Sequence, residues 1–363
     1  MKSLLLTLAM TLCLANASFA QDHRARFNTI KALEQTETFT GFVDMQSLAD
    51  EGYAPAMDRL GYYFRQGLNV EQDLVQAMDW YEKAVQAGHP WSTASLARVQ
   101  IDLNRTEEAL ALLQEGVREN RPGTHRLLAT SHIDRHFGSA SDPELGREIL
   151  ADLAQSGDKN AARELVVRVN WGRINASVPD AIVEQVVQAG LDGDERFAEV
   201  ALVYLSRQNA KSKTALATRA KLADIPGIRD RIRSAEQVRL AAELHPGHFW
   251  SHVEDVLSET DDENYAKVAS TAFWINKNSW VRVLQKELRT LGYYNGRING
   301  RMTQRTIRAQ NRFCRESGIW NICATGPLRG PTVRAVAAEI VKRKSDAISV
   351  QATDMKARDN ASL

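Results

Sequence analysis

Residues 49–97 decide the fold, and they have the sequence ADEGYAPAMDRLGYYFRQGLNVEQDLVQAMDWYEKAVQAGHPWSTASLA. Ala56, Leu60 and Tyr63 recur at intervals of four and three, which is the spacing of one helical face. A second helix is predicted to begin at Asp73, and apolar residues repeat the same spacing along it. Small residues among them allow two helices to approach closely. The stretch therefore predicts an antiparallel pair of amphipathic helices.

This unit recurs along the chain with a period of roughly 35 residues. Its marker is a glycine between two apolar stretches, and these glycines stand at positions 52, 88, 123, 157 and 190. A glycine suits the left-handed residue that ends one helix before the next begins. Two helices and their turns need about this length, so we predict a helical-repeat solenoid over 45–257. Residues 21–44 are predicted to lead into it.

The unit resembles the Sel-one-like repeat, a relative of the tetratricopeptide repeat. The family elements A-x-x-G, L-G-x-x-Y, G-x-x-V-x-x-D and A-x-x-W-Y-x-x-A are matched by Ala49, Gly52, Leu60, Gly61, Tyr63, Gly67, Val70, Asp73, Ala77, Trp80, Tyr81 and Ala84. Later copies keep mainly the glycine spacing. The resemblance implies an all-α protein-binding scaffold, although a fold does not name its partner. Trp80, Tyr81 and Trp91 fit either an aromatic ligand groove or ordinary core packing.

The composition is that of a globular protein whose charge is unevenly distributed. Of the 363 residues, 44% are hydrophobic and 25% are charged, and the formal net charge is +1. Residues 21–279 carry 29 Lys and Arg against 39 Asp and Glu, whereas residues 280–344 carry 14 against three, a net of +11. An acidic body and a basic module indicate two surfaces with different partners.

Residues 1–20 are predicted to be a cleaved secretory signal peptide. Lys2 precedes an apolar stretch that ends at the small-residue cleavage site Ser18-Phe19-Ala20. The stretch is shorter than the ~20 residues that span a bilayer. A lipoprotein signal at Cys13 is the alternative, although Leu12 is bulkier than the usual preceding residue. We expect an exported, periplasmic protein without a transmembrane segment in its mature chain.

Export changes the interpretation of the two cysteines that follow the leader. Cys314 and Cys323 are nine residues apart. In an oxidising compartment such a pair favours a disulfide. Two free thiols, or half of a metal site, are the alternatives.

Residues 280–344 are predicted to form a small three-helix domain, after a linker at 258–279 and before a disordered tail at 345–363. An apolar stripe opens the first helix, which Gly292 ends. The second helix starts near Thr303, and a third follows the later prolines.

This order resembles the peptidoglycan-binding-domain-like family. The family pattern V-x-x-L-Q-x-x-L-x-x-L-G-Y-Y-x-G is matched over residues 281–296, and a second pattern, D-G-x-x-G-x-x-T, is matched in part. In that second pattern Asn299 replaces the aspartate, and Thr303 replaces the second glycine. Cys314 stands where the family has a glutamine. The resemblance implies peptidoglycan as a candidate ligand.

Peptidoglycan stems carry free carboxylates, and arginine pairs with a carboxylate through two parallel hydrogen bonds. The candidate ligand-binding residues are Tyr293, Tyr294, Arg297, Asn299, Arg301, Arg305 and Arg308. The alternative is that one tyrosine fills the core and the arginines only solubilise the module. Export disfavours nucleic acid as the anionic partner, and anionic lipid or lipopolysaccharide is a further alternative.

No motif indicates catalysis. The chain has no G-x-S-x-G elbow, no phosphate-binding loop and no dinucleotide fingerprint. His248 and His252 have the spacing of a zinc pair, but Phe249 stands where a metalloprotease needs glutamate. His132 and His136 repeat that spacing without an obvious third ligand. We therefore predict a non-enzymatic scaffold without metal or cofactor, which binds an unidentified periplasmic protein. The alternative is a periplasmic regulator or exopolysaccharide-secretion factor whose C-terminal module binds protein.

Overall fold

The computed structural model describes residues 21–34, 41–208 and 211–361, with side chains described as far as residue 346. The predicted signal peptide lies outside the described residues. Within them, the chain consists of α-helices with two short 3-10 helices and no β-strand. The predicted all-α helical-repeat fold is confirmed. Two compact units, Met1–Ser177 and Val178–Leu363, divide the chain.

The first unit contains a series of helices that pack in chain order. They are α1 (21–33), α2 (Phe42–Asp50), α3 (Ala54–Gln66), α4 (Leu74–Gln86), α5 (Ser92–Asp102), α6 (Thr106–Arg118), α7 (Thr124–Ile133), α8 (Pro143–Gln155) and α9 (Lys159–Asn170). From α2 onward, each helix packs against the next one along the chain. This is the arrangement that the repeat spacing predicts.

Close packing in this unit depends on glycines where helices meet. Gly61 in α3 faces the ring of Tyr81 in α4, and a Cβ on Gly61 would lie 2.9 Å from three ring carbons. Gly146 in α8 meets α7, where a Cβ would collide with the carbonyl oxygen of Ala129. Larger residues at these two positions would force the paired helices apart.

The second unit continues the helical architecture. Its helices are α10 (Asp180–Leu191), α11 (Glu195–Arg207), α12 (Lys213–Ala223), α13 (Asp230–Leu244), α14 (Phe249–Glu259), α15 (Asp262–Ile275), α16 (Lys277–Thr290), α17 (Gln304–Glu316), α18 (Trp320–Cys323) and α19 (Gly330–Ala361). No helix among the described residues combines the length and apolar character needed to cross a membrane.

Four of the five repeat glycines adopt the predicted backbone conformation. Those at 52, 88, 123 and 157 have positive φ angles. The prediction was wrong for Gly190, which lies inside α10 and packs against Ala198 of α11. Gly193, with φ of 103°, makes the following turn instead. Gly190 is needed there because a Cβ would lie 2.7 Å from the Ala198 Cα atom.

The predicted linker at 258–279 is wrong, because α15 occupies most of it. Asp261 caps the helix, and its side chain accepts the N–H of Asn264 at 2.8 Å. Tyr265, Val268 and Phe273 are then buried in the core that α15 shares with α16, α17 and α19. The acidic residues of the predicted linker, Asp261, Asp262 and Glu263, are therefore the solvated cap and first turn of a core helix.

The predicted tail and domain boundary also differ from the structure. The backbone of α19 remains helical to Ala361, where the composition predicted disorder from residue 345. The compact unit begins at Val178, so the repeat-like helices α10–α13 belong to the same unit as the basic module. The apolar core from Val238 of α13 to Ile340 of α19 joins α13 to the basic module.

The three main helices of the basic module are confirmed as α16, α17 and α19. Val281, Leu284 and Leu288 are buried along α16, as the apolar stripe predicts. The disulfide between Cys314 and Cys323 is present and joins α17 to α18. Closing this short loop stabilises the folded state by about 2–3 kcal/mol in the chain-entropy account.

Candidate functional sites

The candidate residues of the basic module surround a turn that Gln285 attaches to α16. Gln285 is fully buried, and its Oε1 atom accepts the backbone N–H groups of Asn299 and Gly300 at 2.9 and 3.0 Å. Its Nε2 atom donates to Thr306 Oγ1 at 3.1 Å. Asn299 Oδ1 in turn accepts the N–H of Arg301 at 3.0 Å. These bonds hold the turn in one position relative to α16.

Gln285 is a structural residue of this site that the sequence reasoning did not single out. In the sequence it is one position of the family pattern, the Q of V-x-x-L-Q. The available signal was a polar residue within the apolar stripe of α16, since a buried polar side chain needs hydrogen-bond partners.

Both candidate tyrosines use their hydroxyl groups within the protein. Tyr294 is 5% exposed, and its hydroxyl donates to the carbonyl of Arg297 at 2.9 Å. The Tyr293 hydroxyl lies 2.6 Å from Glu316 and accepts a hydrogen bond from Arg343 at 2.8 Å. Burial, and then the bond to Glu316, raise the pKa of Tyr293. Tyr294 is therefore the tyrosine that fills the core, and Tyr293 is tied to its neighbours.

The four candidate arginines are exposed and unpaired within the part of the chain that the structure describes. They are Arg297, Arg301, Arg305 and Arg308. By contrast, Arg282 and Lys286 of α16 are both paired with Glu254 at 2.7 Å. Arg305 and Arg308 are one helical turn apart on α17, so their side chains are neighbours. This basic surface, comprising the four arginines, is free to bind an anion.

A second candidate site is a cavity of about 520 Å³ in the first unit, which we call the arginine cavity. Its lining includes Arg65, Arg98, Arg126 and Arg168, with Glu164 and the aromatic residues Tyr62, Tyr81 and Trp91. Tyr81 is a core residue, only 3% exposed, whereas Trp91 is 50% exposed. Trp80 is not among the lining residues. Tyr81 is thus an aromatic residue of the core, whereas Trp91 lies on the open wall of a groove.

The histidines with metal-pair spacing have structural surroundings. His248 lies in a 3-10 helix before α14, and its carbonyl oxygen is 3.0 Å from the Nδ1 atom of His252. His252 also stacks on His245 with ring centroids 4.5 Å apart. His132 is buried and accepts the N–H of Asp142 at 3.0 Å. The described residues contain no group of three or more His, Cys, Asp or Glu placed to hold a metal ion.

One segment of the chain matches the model of a known protein family. The Sel1 repeat family model matches residues 54–89. The chain is similar to a Sel1 repeat protein from Oxalobacter formigenes, with 15% identity over 65% of this chain and 98% of that one, and a TM-score of 0.42. It is also similar to c5321, a protective antigen of uropathogenic Escherichia coli with an SLR fold, with 15% identity over 94% and 92% and a TM-score of 0.38.

No curated protein matches the chain. The family match covers α3, α4 and the turns around them, which are the elements that carry the predicted repeat pattern. The predicted Sel-one-like resemblance is therefore confirmed for this segment, and the chain contains a Sel1 repeat at residues 54–89.

Proposed function

We propose that this protein is an exported, non-enzymatic scaffold of the periplasm. Its helical repeats bind a protein partner, and its C-terminal module binds peptidoglycan through the basic surface. The observation that carries the second part is the set of four exposed arginines without an ion pair in the described chain. Sel1 repeats mediate protein–protein interaction, which supports the first part.

The charges of the module support an anionic ligand at this surface. Some other cations of the module have acidic partners, such as Lys344 with Glu287 at 2.6 Å and Arg282 with Glu254, whereas Arg329, Arg334 and Lys342 have no ion pair in the described chain. The basic surface has none within the described chain, so its charge is available to a ligand. Stem-peptide carboxylates of peptidoglycan match the planar donor pair of each guanidinium. Because the turn is held by Gln285, the arginines would be presented from a fixed backbone.

Two features support export. The leader at residues 1–20 has the composition of a signal peptide. The disulfide between Cys314 and Cys323 is a bond that persists in oxidising compartments and is rare in the cytosol.

A second candidate function is a periplasmic regulator or secretion factor whose C-terminal module binds protein. The exposed apolar residues at the end of α15 favour it, since Trp274 is 69% exposed and Ile275 is 39% exposed. Exposed aromatic residues are enriched at protein interfaces. This candidate predicts that binding of a partner protein depends on Trp274 rather than on the basic surface.

Sedimentation with purified sacculi tests the proposal. The protein, residues 21–363, should pellet with sacculi, and glutamine at all four arginines of the basic surface should leave it in the supernatant. A matched control carries glutamine at four other cations of the module, Arg315, Arg329, Arg334 and Lys342, and should still pellet. Point variants are preferred to truncation, because α15 shares its core with the module.

Salt and the second candidate function complete the design. Binding should weaken from low to moderate salt, because exposed charges are screened. Equal pelleting by both quadruple variants would contradict the assignment to the basic surface. Failure of the unchanged protein to pellet with sacculi at either salt concentration would favour the second candidate function.

A further inference from the structure

Three of the four arginines that line the arginine cavity are paired with carboxylates of the first unit. Arg65 Nε lies 2.8 Å from Asp102, and Arg126 Nη1 lies 2.9 Å from Asp158. Arg168 is 6% exposed, and its pairs with Asp134 and Glu164 are 2.7 and 2.5 Å long. These guanidinium groups are therefore neutralised and oriented before any ligand arrives.

Arg98 differs from the other three arginines. It has neither a hydrogen bond nor an ion pair within the described part of the chain, although it is half-buried in α5. Burial lowers its pKa most, and the neighbouring charge of Arg65 lowers it further, while the charges of Asp102 and Glu164 act in the opposite direction without reversing the shift. Arginine stays protonated at all physiological pH values, so the lowered pKa reports a cation held at a cost in free energy. An anion entering the cavity would relieve that cost.

The wall beside Arg98 is aromatic and open. Trp91 is 50% exposed and lies over Gly123, whose Cβ, if present, would be 3.6 Å from the indole ring. Tyr62 also lines the cavity, and the guanidinium carbon of Arg59 lies 4.4 Å from the centroid of its ring. A ligand with an apolar group next to its carboxylate would use the charge and this wall together.

The polar lining favours a peptide over a polysaccharide. Arginine donates hydrogen bonds and accepts none, and sugar hydroxyls need acceptors as well as donors. The Thr130 hydroxyl already donates to the carbonyl of Leu127 at 3.1 Å, and Glu164 is held by Arg168. Carboxylates and backbone carbonyls are acceptors only, which matches a lining dominated by donors.

We propose that the arginine cavity binds an acidic segment of the partner protein, with a carboxylate paired to Arg98 and an adjacent apolar side chain against Trp91. The proposal rests on the proposed protein-binding function of the repeats and names the chemistry of the partner. The cavity volume of about 520 Å³ lies within the range of ~300–1,000 Å³ typical of binding pockets.

Fluorescence anisotropy with defined peptides tests it. The probe is fluorescein-labelled Gly-Asp-Phe-Asp-Leu-Gly, and its control replaces both aspartates by asparagine. The intact protein should bind the acidic peptide about tenfold more tightly, the order of one charge-assisted hydrogen-bonded pair. Arg98→Gln should remove this preference, and Trp91→Ala should weaken binding of both peptides. Arg98→Lys should restore part of the preference.

The matched control is Arg118→Gln, because Arg118 is an exposed arginine of α6 that does not line the cavity. It should bind the acidic peptide as the unchanged protein does. Circular dichroism of Arg98→Gln should show the native helical signal, since no internal bond of Arg98 is lost. A native spectrum would show that Arg98→Gln loses binding without unfolding.

Three results would overturn the proposal. The first is equal affinity for the two peptides, and the second is an Arg98→Gln variant that keeps the preference. The third is displacement of the acidic peptide by polygalacturonate at equal carboxylate concentration, which would assign the cavity to an acidic polysaccharide. The proposed function is judged separately, by the sacculus assay and by cross-linking of a partner in cells. A partner that cross-links equally to the Arg98→Gln variant would leave the scaffold function standing without this cavity.

Discussion

The arginine cavity of the first unit and the basic surface of the second unit use the same side chain in opposite environments. Arg168 is 6% exposed and lies between two carboxylates, whereas Arg305 and Arg308 are exposed and unpaired in the described chain. A buried guanidinium between two carboxylates is neutralised and held in one orientation, and an exposed, unpaired one attracts any anion until salt screens it. The number of arginines therefore predicts net charge, and burial and pairing decide whether that charge is available to a ligand.

The largest effect is expected at the basic surface, from Gln285→Leu. Leucine would leave the N–H groups of Asn299 and Gly300 without their acceptor, so unfolding free energy should fall by about 3 kcal/mol. Urea denaturation of the intact protein measures this loss of unfolding free energy. The variant Gln304→Leu, at an exposed position of α17, serves as a control. Sacculus binding should fall as well, because the arginines would lose their fixed backbone. A loss of unfolding free energy below about 1 kcal/mol would show that the turn keeps its conformation without the hydrogen bonds to Gln285.

A smaller loss is expected in the cavity from Arg168→Met. Methionine would leave Asp134 and Glu164 without their shared cation. Both carboxylates are partly exposed, so the loss should be about 2 kcal/mol, below the value for a fully buried pair. Thermal or urea unfolding of this variant beside Arg118→Met measures the difference. Equal stability of the two variants would contradict a structural role for these pairs.

The opposite sign is expected from Arg98→Met in the same cavity. Arg98 has no pairing in the described chain to lose, and methionine removes a half-buried cation. The protein should be equally stable or gain up to about 1 kcal/mol while losing its preference for acidic peptides. Midpoints of urea unfolding measure this. Destabilisation by more than about 1 kcal/mol would reveal a structural role for Arg98 and weaken its assignment to a ligand.

The smallest effect concerns pH and His132 in the first unit. Burial lowers the pKa of His132, so the folded state disfavours the protonated ring relative to the unfolded chain, where histidine titrates near ~6.5. The contribution of His132 to stability is complete above that pH and is lost as the pH falls through the lowered pKa. Melting temperatures at about pH 8 and about pH 5.5 should differ less in His132→Gln, which keeps an acceptor for Asp142. An unchanged pH dependence would assign it to other groups.

Some features of both regions could be predicted from local sequence, and others could not. The spacing of apolar residues predicted the helix pair at 54–86 and the three helices of the module, because periodicity reports which face of a helix is buried. The same reasoning failed for Gly190 and for α15. A helical glycine at a crossing and a core helix behind an acidic first turn both look like loop signals until the packing partner is known.

The aromatic residues show the same limit at the level of single side chains. Tyr293 and Tyr294 are adjacent in sequence and chemically identical, yet Tyr294 fills the core and Tyr293 lies partly exposed between Glu316 and Arg343. Trp91 and Tyr81 also differ, with one open to solvent and the other packed on Gly61. Residue type allowed either position, since aromatic side chains serve both as core and as contact surface.

The sequence by itself determined the helices, their repeat period, the pair of cysteines and the separation of charge between an acidic body and a basic module. These properties follow from residue spacing and composition, which act within a turn or two of the chain. Only the tertiary structure decided that Arg98 lacks a partner in the described chain while Arg168 has two, and that Gln285 holds the turn bearing Arg301. Pairing and burial join residues far apart in sequence, and they depend on which helices pack together.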